Sequence, residues 1–315
     1  MAKRVIAALV FLALVAAPAT AQEFSFQTLS RIYDYDAAAP LNETLEPVPQ
    51  IQGFDAYKLT YTSANNERVT AWYAVPHGTG PFPALILLHG YGGSKDDFVQ
   101  LFPVVVPAGV ALLAYDAPLH GERAIPGRSI FDINRPEESL NALVQTVLDG
   151  RRAVDFLVAR PEIDPKRIGF VGASMGAILG TVLCGVEERI ACAALLVGGA
   201  DWKIILSKSD LPEARSLREQ LTEEQLAEVA RFLAPVDPIY FVGHISPRPL
   251  LLQFGKNDTV VPVQANRALL NAANEPVEVD WYDSGHYLPT DVVAPRVLSW
   301  LAARLNVGIP AGAGG

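Results

Sequence analysis

A series of short, largely apolar runs constrains this chain more than any other feature. Residues 84–88, 111–115, 167–171, 193–197, 250–254 and 277–282 are brief, largely apolar stretches, and all but the last lack apolar/polar alternation. Runs of that length and texture suit strands buried on both faces. Helical spacing fills the intervals. The clearest case is 136–159, where Leu140, Leu143, Val144, Val147, Leu148, Val154, Leu157 and Val158 repeat at helical periods. Pro136 suits its first turn and Pro161 forbids continuation. Strand–helix–strand repetition predicts an α/β fold, a mostly parallel central sheet with helices on both faces. Ahead of it, residues 57–61 and 68–75 are strand-like and joined by Ser63-Ala64-Asn65-Asn66, a hairpin signal.

One stretch breaks the rhythm. Residues 201–247 are long for a single crossover and rich in charge. Thr222 and Gln225 form a capping box, with Leu221 and Leu226 placed as a hydrophobic staple. Leu226, Val229, Ala230 and Leu233 make one apolar stripe. The expectation is a small helical cap, or lid, inserted into a single domain covering 22–315.

The first 21 residues read as an address. Lys3 and Arg4 give a positive start, residues 5–17 are apolar, and Ala19-Thr20-Ala21 is a small-x-small site before Gln22. This is the pattern of a secretory signal peptide. The apolar run is shorter than the roughly 20 residues needed to span a bilayer, so no stable membrane insertion is expected. The expected location is periplasmic or extracellular. In such an oxidising compartment Cys184 and Cys192 are either two buried small hydrophobes or a disulfide. Lys plus Arg is 25 against 34 for Asp plus Glu, with no basic cluster, so a nucleic-acid partner is not expected. The carboxylates show no metal-ligand spacing, and neither metal nor cofactor is expected.

The chemistry centres on Gly172-Ala173-Ser174-Met175-Gly176, which follows a buried strand and opens a helix. A Gly-x-Ser-x-Gly in that context makes a sharp turn that exposes the serine oxygen above the sheet. The helix N-terminus beneath it favours negative charge. A serine hydroxyl needs a base to become a nucleophile. Among His77, His89, His120, His244 and His286, only His286 lies in a small loop after the last predicted strand, as Asp283-Ser284-Gly285-His286. Asp258 closes Phe254-Gly255-Lys256-Asn257-Asp258 just after another strand. It competes with Asp201 and Asp283 as the carboxylate that orients the imidazole.

Ser174, Asp258 and His286, in that order, resemble the triad of the α/β-hydrolase superfamily. The resemblance covers almost all of the chain after residue 21. His89-Gly90-Tyr91-Gly92-Gly93 and Tyr115-Asp116-x-x-x-His120-Gly121 are similar to its dienelactone-hydrolase-like and acetyl-xylan-esterase-like branches. The former typically uses cysteine where this chain has Ser174. The resemblance implies the α/β-hydrolase fold and an oxyanion hole made by the backbone N–H groups of Tyr91 and Met175. It also implies a serine esterase acting on small-molecule carboxylic esters; the leader makes it an exported one, and the moderate lid and acidic surface point to acyl groups of short to medium length. His89 would brace the oxyanion loop. His77 and His244 would be surface or structural residues. His120 and Trp202 are candidate substrate contacts, and His120, Glu122 and Arg123 alternatively fix their own loop. A prolyl-oligopeptidase-like peptidase and a non-catalytic binder share the fold, but only about 60 residues precede the first core strand, too few for the peptidases' usual extra domain.

Overall fold

The computed structural model describes residues 24–49 and 53–307. The expected signal peptide, 1–21, lies outside those residues. One nine-stranded sheet organises the chain: β1 (Thr44–Pro47), β2 (Phe54–Thr62), β3 (Arg68–Pro76), β4 (Phe82–Leu88), β5 (Ala111–Tyr115), β6 (Ile163–Ala173), β7 (Ile190–Leu196), β8 (Leu250–Gly255) and β9 (Val277–Tyr282). Their order across the sheet is β1-β2-β3-β5-β4-β6-β7-β8-β9. The expected hairpin is the antiparallel β2–β3 pair, and β3 meets β5 antiparallel. From β5 to β9 every pairing is parallel. This is the α/β-hydrolase fold.

Burial on both faces explains the unbroken apolar runs. Along β4, Ala84, Ile86 and Leu88 enter one core while Leu85 and Leu87 enter the other. The first core packs α3 (Pro136–Val158), α4 (Met175–Val186) and α8 (Val263–Ala272) on one face. The second packs α2 (Phe102–Val105) and α9 (Thr290–Leu305) on the other. The N-terminal stretch, with α1 (Phe26–Leu29), straps the first face. Tyr33 donates its hydroxyl to Pro235 O (2.7 Å), and buried Arg152 on α3 donates to the carbonyls of Ala37 (3.4 Å) and Ala39 (2.6 Å).

Between β7 and β8 the chain leaves the sheet as α5 (Trp202–Lys208), α6 (Pro212–Gln220), α7 (Glu223–Phe232) and three short turns of 3₁₀ helix. Both halves of the capping box at α7 are formed. The segment is moored at its near end: Asp210 N–H donates to Thr259 O (2.8 Å) and Ser209 Oγ to Val260 O (2.5 Å). No helix among the described residues is long and apolar enough to cross a membrane.

Candidate active site

Parallel strands end on one side of a sheet, and their loops converge there. The turn from β6 into α4 carries Ser174 in a left-handed conformation, φ 55° and ψ −119°. A non-glycine residue held there is strained. Its neighbours must therefore be small. A methyl on Gly172 would overlap the Gly176 carbonyl, and one on Gly176 would overlap that of Leu88. Ser174 N–H donates to Leu196 O on β7 (2.8 Å), which fixes the elbow to the sheet.

His286 follows β9 and Asp258 follows β8. The imidazole Nε2 is 2.9 Å from Ser174 Oγ, and Nδ1 is 2.8 Å from Asp258 Oδ2. The other carboxylate oxygen of buried Asp258 accepts the N–H groups of Val260 (2.9 Å) and Val261 (3.0 Å). These donors fix the orientation of the carboxylate. The rival carboxylates are occupied elsewhere. Asp201 caps α5, accepting from Ile204 N–H (3.2 Å), and Asp283 pairs on the surface with Lys256 (2.9 Å). The three side chains form one hydrogen-bonded series, the arrangement that a nucleophile, its base and an orienting acid require.

The loop after β4 lies against this elbow. A Cβ on Gly90 would stand 3.4 Å from Ser174 Cβ. Among the described residues no protein group accepts the N–H of Tyr91 or of Met175, the first residue of α4. His89 is buried and holds the loop from beneath: Nδ1 donates to Gly90 O (2.8 Å) and Nε2 accepts from Ala117 N–H (3.1 Å). Burial lowers its pKa, which keeps the ring neutral in that role.

His120 is buried beside His89, its ring centroid 4.9 Å away, with Nδ1 bonded to Pro118 O (2.9 Å). Trp202 is buried, and its indole N–H donates to Val236 O (3.1 Å). Glu122 and Arg123 fix their loop, Glu122 pairing with Lys95 (2.7 Å) and Arg123 with Asp149 (2.6 Å). His77 is exposed and pairs with Asp55 (3.1 Å), and the His244 ring stacks on Phe26. Cys184 and Cys192 are both buried and free.

Several supporting residues gave little sign of themselves in the sequence. Buried Asp116 accepts from Lys95 N–H (2.9 Å), Thr70 Oγ1 (2.7 Å) and Glu122 N–H (3.2 Å), joining the loops after β4 and β5. Only its place in Tyr115-Asp116-x-x-x-His120-Gly121 marked it. Buried Asp237 accepts the N–H groups of Asp201 (2.9 Å), Trp202 (3.0 Å) and Ile239 (3.1 Å), holding the base of the inserted helices. Phe131 packs edge-on to Tyr91 (5.1 Å) and Trp202 (6.3 Å), completing an aromatic wall. Among the described residues no three His, Cys, Asp or Glu side chains gather as a metal ion would require.

Comparison with known proteins agrees with the fold. A profile of the alpha/beta hydrolase family matches residues 85–297, and one of the acetyl xylan esterase family matches residues 15–121. Esterase YjfP of Escherichia coli (strain K12) is 27% identical over 209 residues, 64% of this chain and 79% of that protein. Esterase FrsA of Citrobacter koseri is 23% identical over 286 residues, 85% of this chain but only 64% of FrsA, so the chain spans less than two thirds of that relative. Acetyl xylan esterase 1 from Thermoanaerobacterium sp. JW/SL YS485 superposes with a TM-score of 0.77 at 22% identity, covering 89% of this chain and 93% of that one. The acetyl xylan esterase from Paenibacillus sp. R4 gives 0.73 at 23% identity, covering 88% and 92%. At these identities the structural likeness is one of fold.

Proposed function

The chain belongs to the alpha/beta hydrolase family, and from that premise we propose that it is an exported serine esterase cleaving small carboxylic esters of short to medium acyl length. The observation that carries the reading is the unbroken series from Ser174 Oγ through His286 to Asp258, at 2.9 and 2.8 Å. Esterases among its relatives support the bond type, and the aromatic wall beside the elbow supports a compact acyl or alcohol pocket.

In this scheme Ser174 Oγ attacks the acyl carbon while His286 Nε2 takes its proton. Asp258 holds the imidazole and stabilises its charged form. The oxygen that becomes negative is received by the Tyr91 and Met175 N–H groups. The tetrahedral species collapses, and His286 returns the proton to the departing alcohol. Water then attacks the acyl-serine, giving up a proton to His286, and the acid leaves with Ser174 restored. No cofactor enters any step.

Hydrolysis of nitrophenyl acetate, butyrate, octanoate and palmitate, side by side with Ser174→Ala, tests the proposal. Turnover of the short esters that disappears in Ser174→Ala is expected. A folded protein inactive on every ester would overturn it. Export rests on the pattern of residues 1–21. Protein recovered from the periplasm or medium should begin at Gln22, and retention of Lys3 and Arg4 there would refute cleavage.

A further inference from the structure

We propose that Glu213, on the inserted helix α6, is a positioning residue that holds the Tyr91 N–H where the reaction needs it. The inference rests on the esterase reading above. Its starting point is the make-up of the oxyanion loop. Tyr91 is flanked by Gly90 on one side and by Gly92 and Gly93 on the other, with Gly92 at φ +77°. Glycines leave the backbone free to wander. A donor that stabilises a transition state must instead be fixed beforehand. Gly93 N–H closes a turn onto Gly90 O (3.0 Å) and His89 braces the same carbonyl from beneath, so what remains to be supplied is the alignment of the Tyr91 peptide.

The Tyr91 side chain supplies it. Its hydroxyl donates to Glu213 Oε1 (2.9 Å) and accepts from Ser129 Oγ (3.0 Å), which in turn accepts from Phe131 N–H (3.1 Å). The ring rests edge-on against Phe131. The loop after β4 is thereby bound at one point to the loop after β5 and at another to the inserted helices. Glu213 makes no other hydrogen bond or ion pair among the described residues, and its second oxygen, Oε2, is buried without a partner. A half-satisfied carboxylate is a poor way to add stability. Its placement follows if the acceptor for Tyr91 is what matters.

Steady-state hydrolysis of a short nitrophenyl ester, in the full chain, tests this with Glu213→Ala, Glu213→Gln, Tyr91→Phe and the Tyr91→Phe/Glu213→Ala pair. Deleting an oxyanion donor costs about 10²–10³ in turnover; loosening one is expected to cost about tenfold in kcat, with KM changed less than about twofold. Tyr91→Phe, which also breaks the Ser129 bond, should lose at least as much as Glu213→Ala, and the double variant should be no worse than Tyr91→Phe alone. Glu213→Gln, whose amide oxygen still accepts, should recover most of kcat. A wild-type kcat in Glu213→Ala, a loss confined to KM, or additive losses in the double variant would overturn the inference. Tyr91→Phe removes the hydroxyl and with it both the Glu213 and the Ser129 bond, and Ser129→Ala, which breaks only the second, separates the two if Glu213→Ala folds poorly. Failure of the esterase reading is distinct: the wild-type protein would itself be inactive.

Discussion

Replacing Asp258 by asparagine isolates what the carboxylate contributes beyond packing. The two side chains are nearly identical in shape, so the fold should be kept. Their orientation is not free. The Val260 and Val261 N–H groups, at 2.9 and 3.0 Å, demand an acceptor, so the amide oxygen must take the Oδ1 position. The amide NH₂ is then forced toward His286 Nδ1. Two donors cannot share that bond, so the imidazole must carry its proton on Nε2, facing Ser174 Oγ at 2.9 Å. In that tautomer it cannot accept the serine proton. The same substitution in a serine protease lowers turnover about 10⁴-fold, equivalent to about 5.4 kcal/mol of barrier. We expect kcat/KM on a short nitrophenyl ester to fall by that order, with thermal stability close to wild type. Asp201→Asn and Asp283→Asn should stay within about threefold, since one still caps a helix and the other loses only an exposed ion pair. An Asp258→Asn enzyme within tenfold of wild type, or a larger loss at either rival, would refute the assignment.

Gly176→Ala should cripple the enzyme without touching a reacting group, because the added methyl overlaps the Leu88 carbonyl and displaces the elbow; about 100-fold lower kcat and a loss of about 1–3 kcal/mol by thermal melting are expected. Burial pushes the thiols of both Cys184 and Cys192 up to about 12, so a thiol-specific disulfide reagent at pH 8 should modify neither in the native protein and both on unfolding; a native reaction, or no thiols on unfolding, would contradict the structure. Burial alone would raise the Glu187 pKa, but the Arg189 and Arg151 guanidiniums outweigh it and hold the carboxyl below its usual range. Its contribution to stability is therefore present above the unfolded value of about 4.3 and lost as pH falls through the lower folded one. Glu187→Gln should cost about 2 kcal/mol in urea unfolding at pH 7, and the gap should close toward pH 3; a gap that widens on acidification would show the sign to be wrong.

The sheet and the reacting groups were legible because each leaves a local signature. Strands β4, β5 and β8 coincide with the apolar runs to within a residue or two, since burial on both faces forces those runs; β9 also lies where it was expected, but as a half-buried edge strand that carries Glu278 and Asp280. Ser174 was readable from the two glycines its turn requires. Asp258 and His286 were readable from their positions after successive strands. What escaped was set by tertiary partners. Strand β1 is an exposed edge without an apolar pattern. Helix α9 carries Pro295 in its interior, which removes a donor and masks the periodicity. The left-handed helix cap that occupies the rival Asp201 is set by three-dimensional context. Nothing in Pro212-Glu213-Ala214 announces a partner 122 residues away at Tyr91.

The inserted helices leave the sheet between β7 and β8, whereas Ser174, Asp258 and His286 ride on β6, β8 and β9. The outer helices of that segment, α6 and α7, are thus separate in sequence from the strands that carry the three proposed catalytic residues. The segment's moorings to the reacting loops are few: Asp210 to Thr259, Ser209 to Val260 and Glu213 to Tyr91. A helical segment transplanted from a relative in place of residues 212–232 would, on the esterase reading, retune which ester fits, as long as it reproduced the Glu213 contact; residues 234–249 are bound to the body of the fold, with Val236, Phe241, Val242 and Ile245 buried in the main core and Pro235 O accepting from Tyr33.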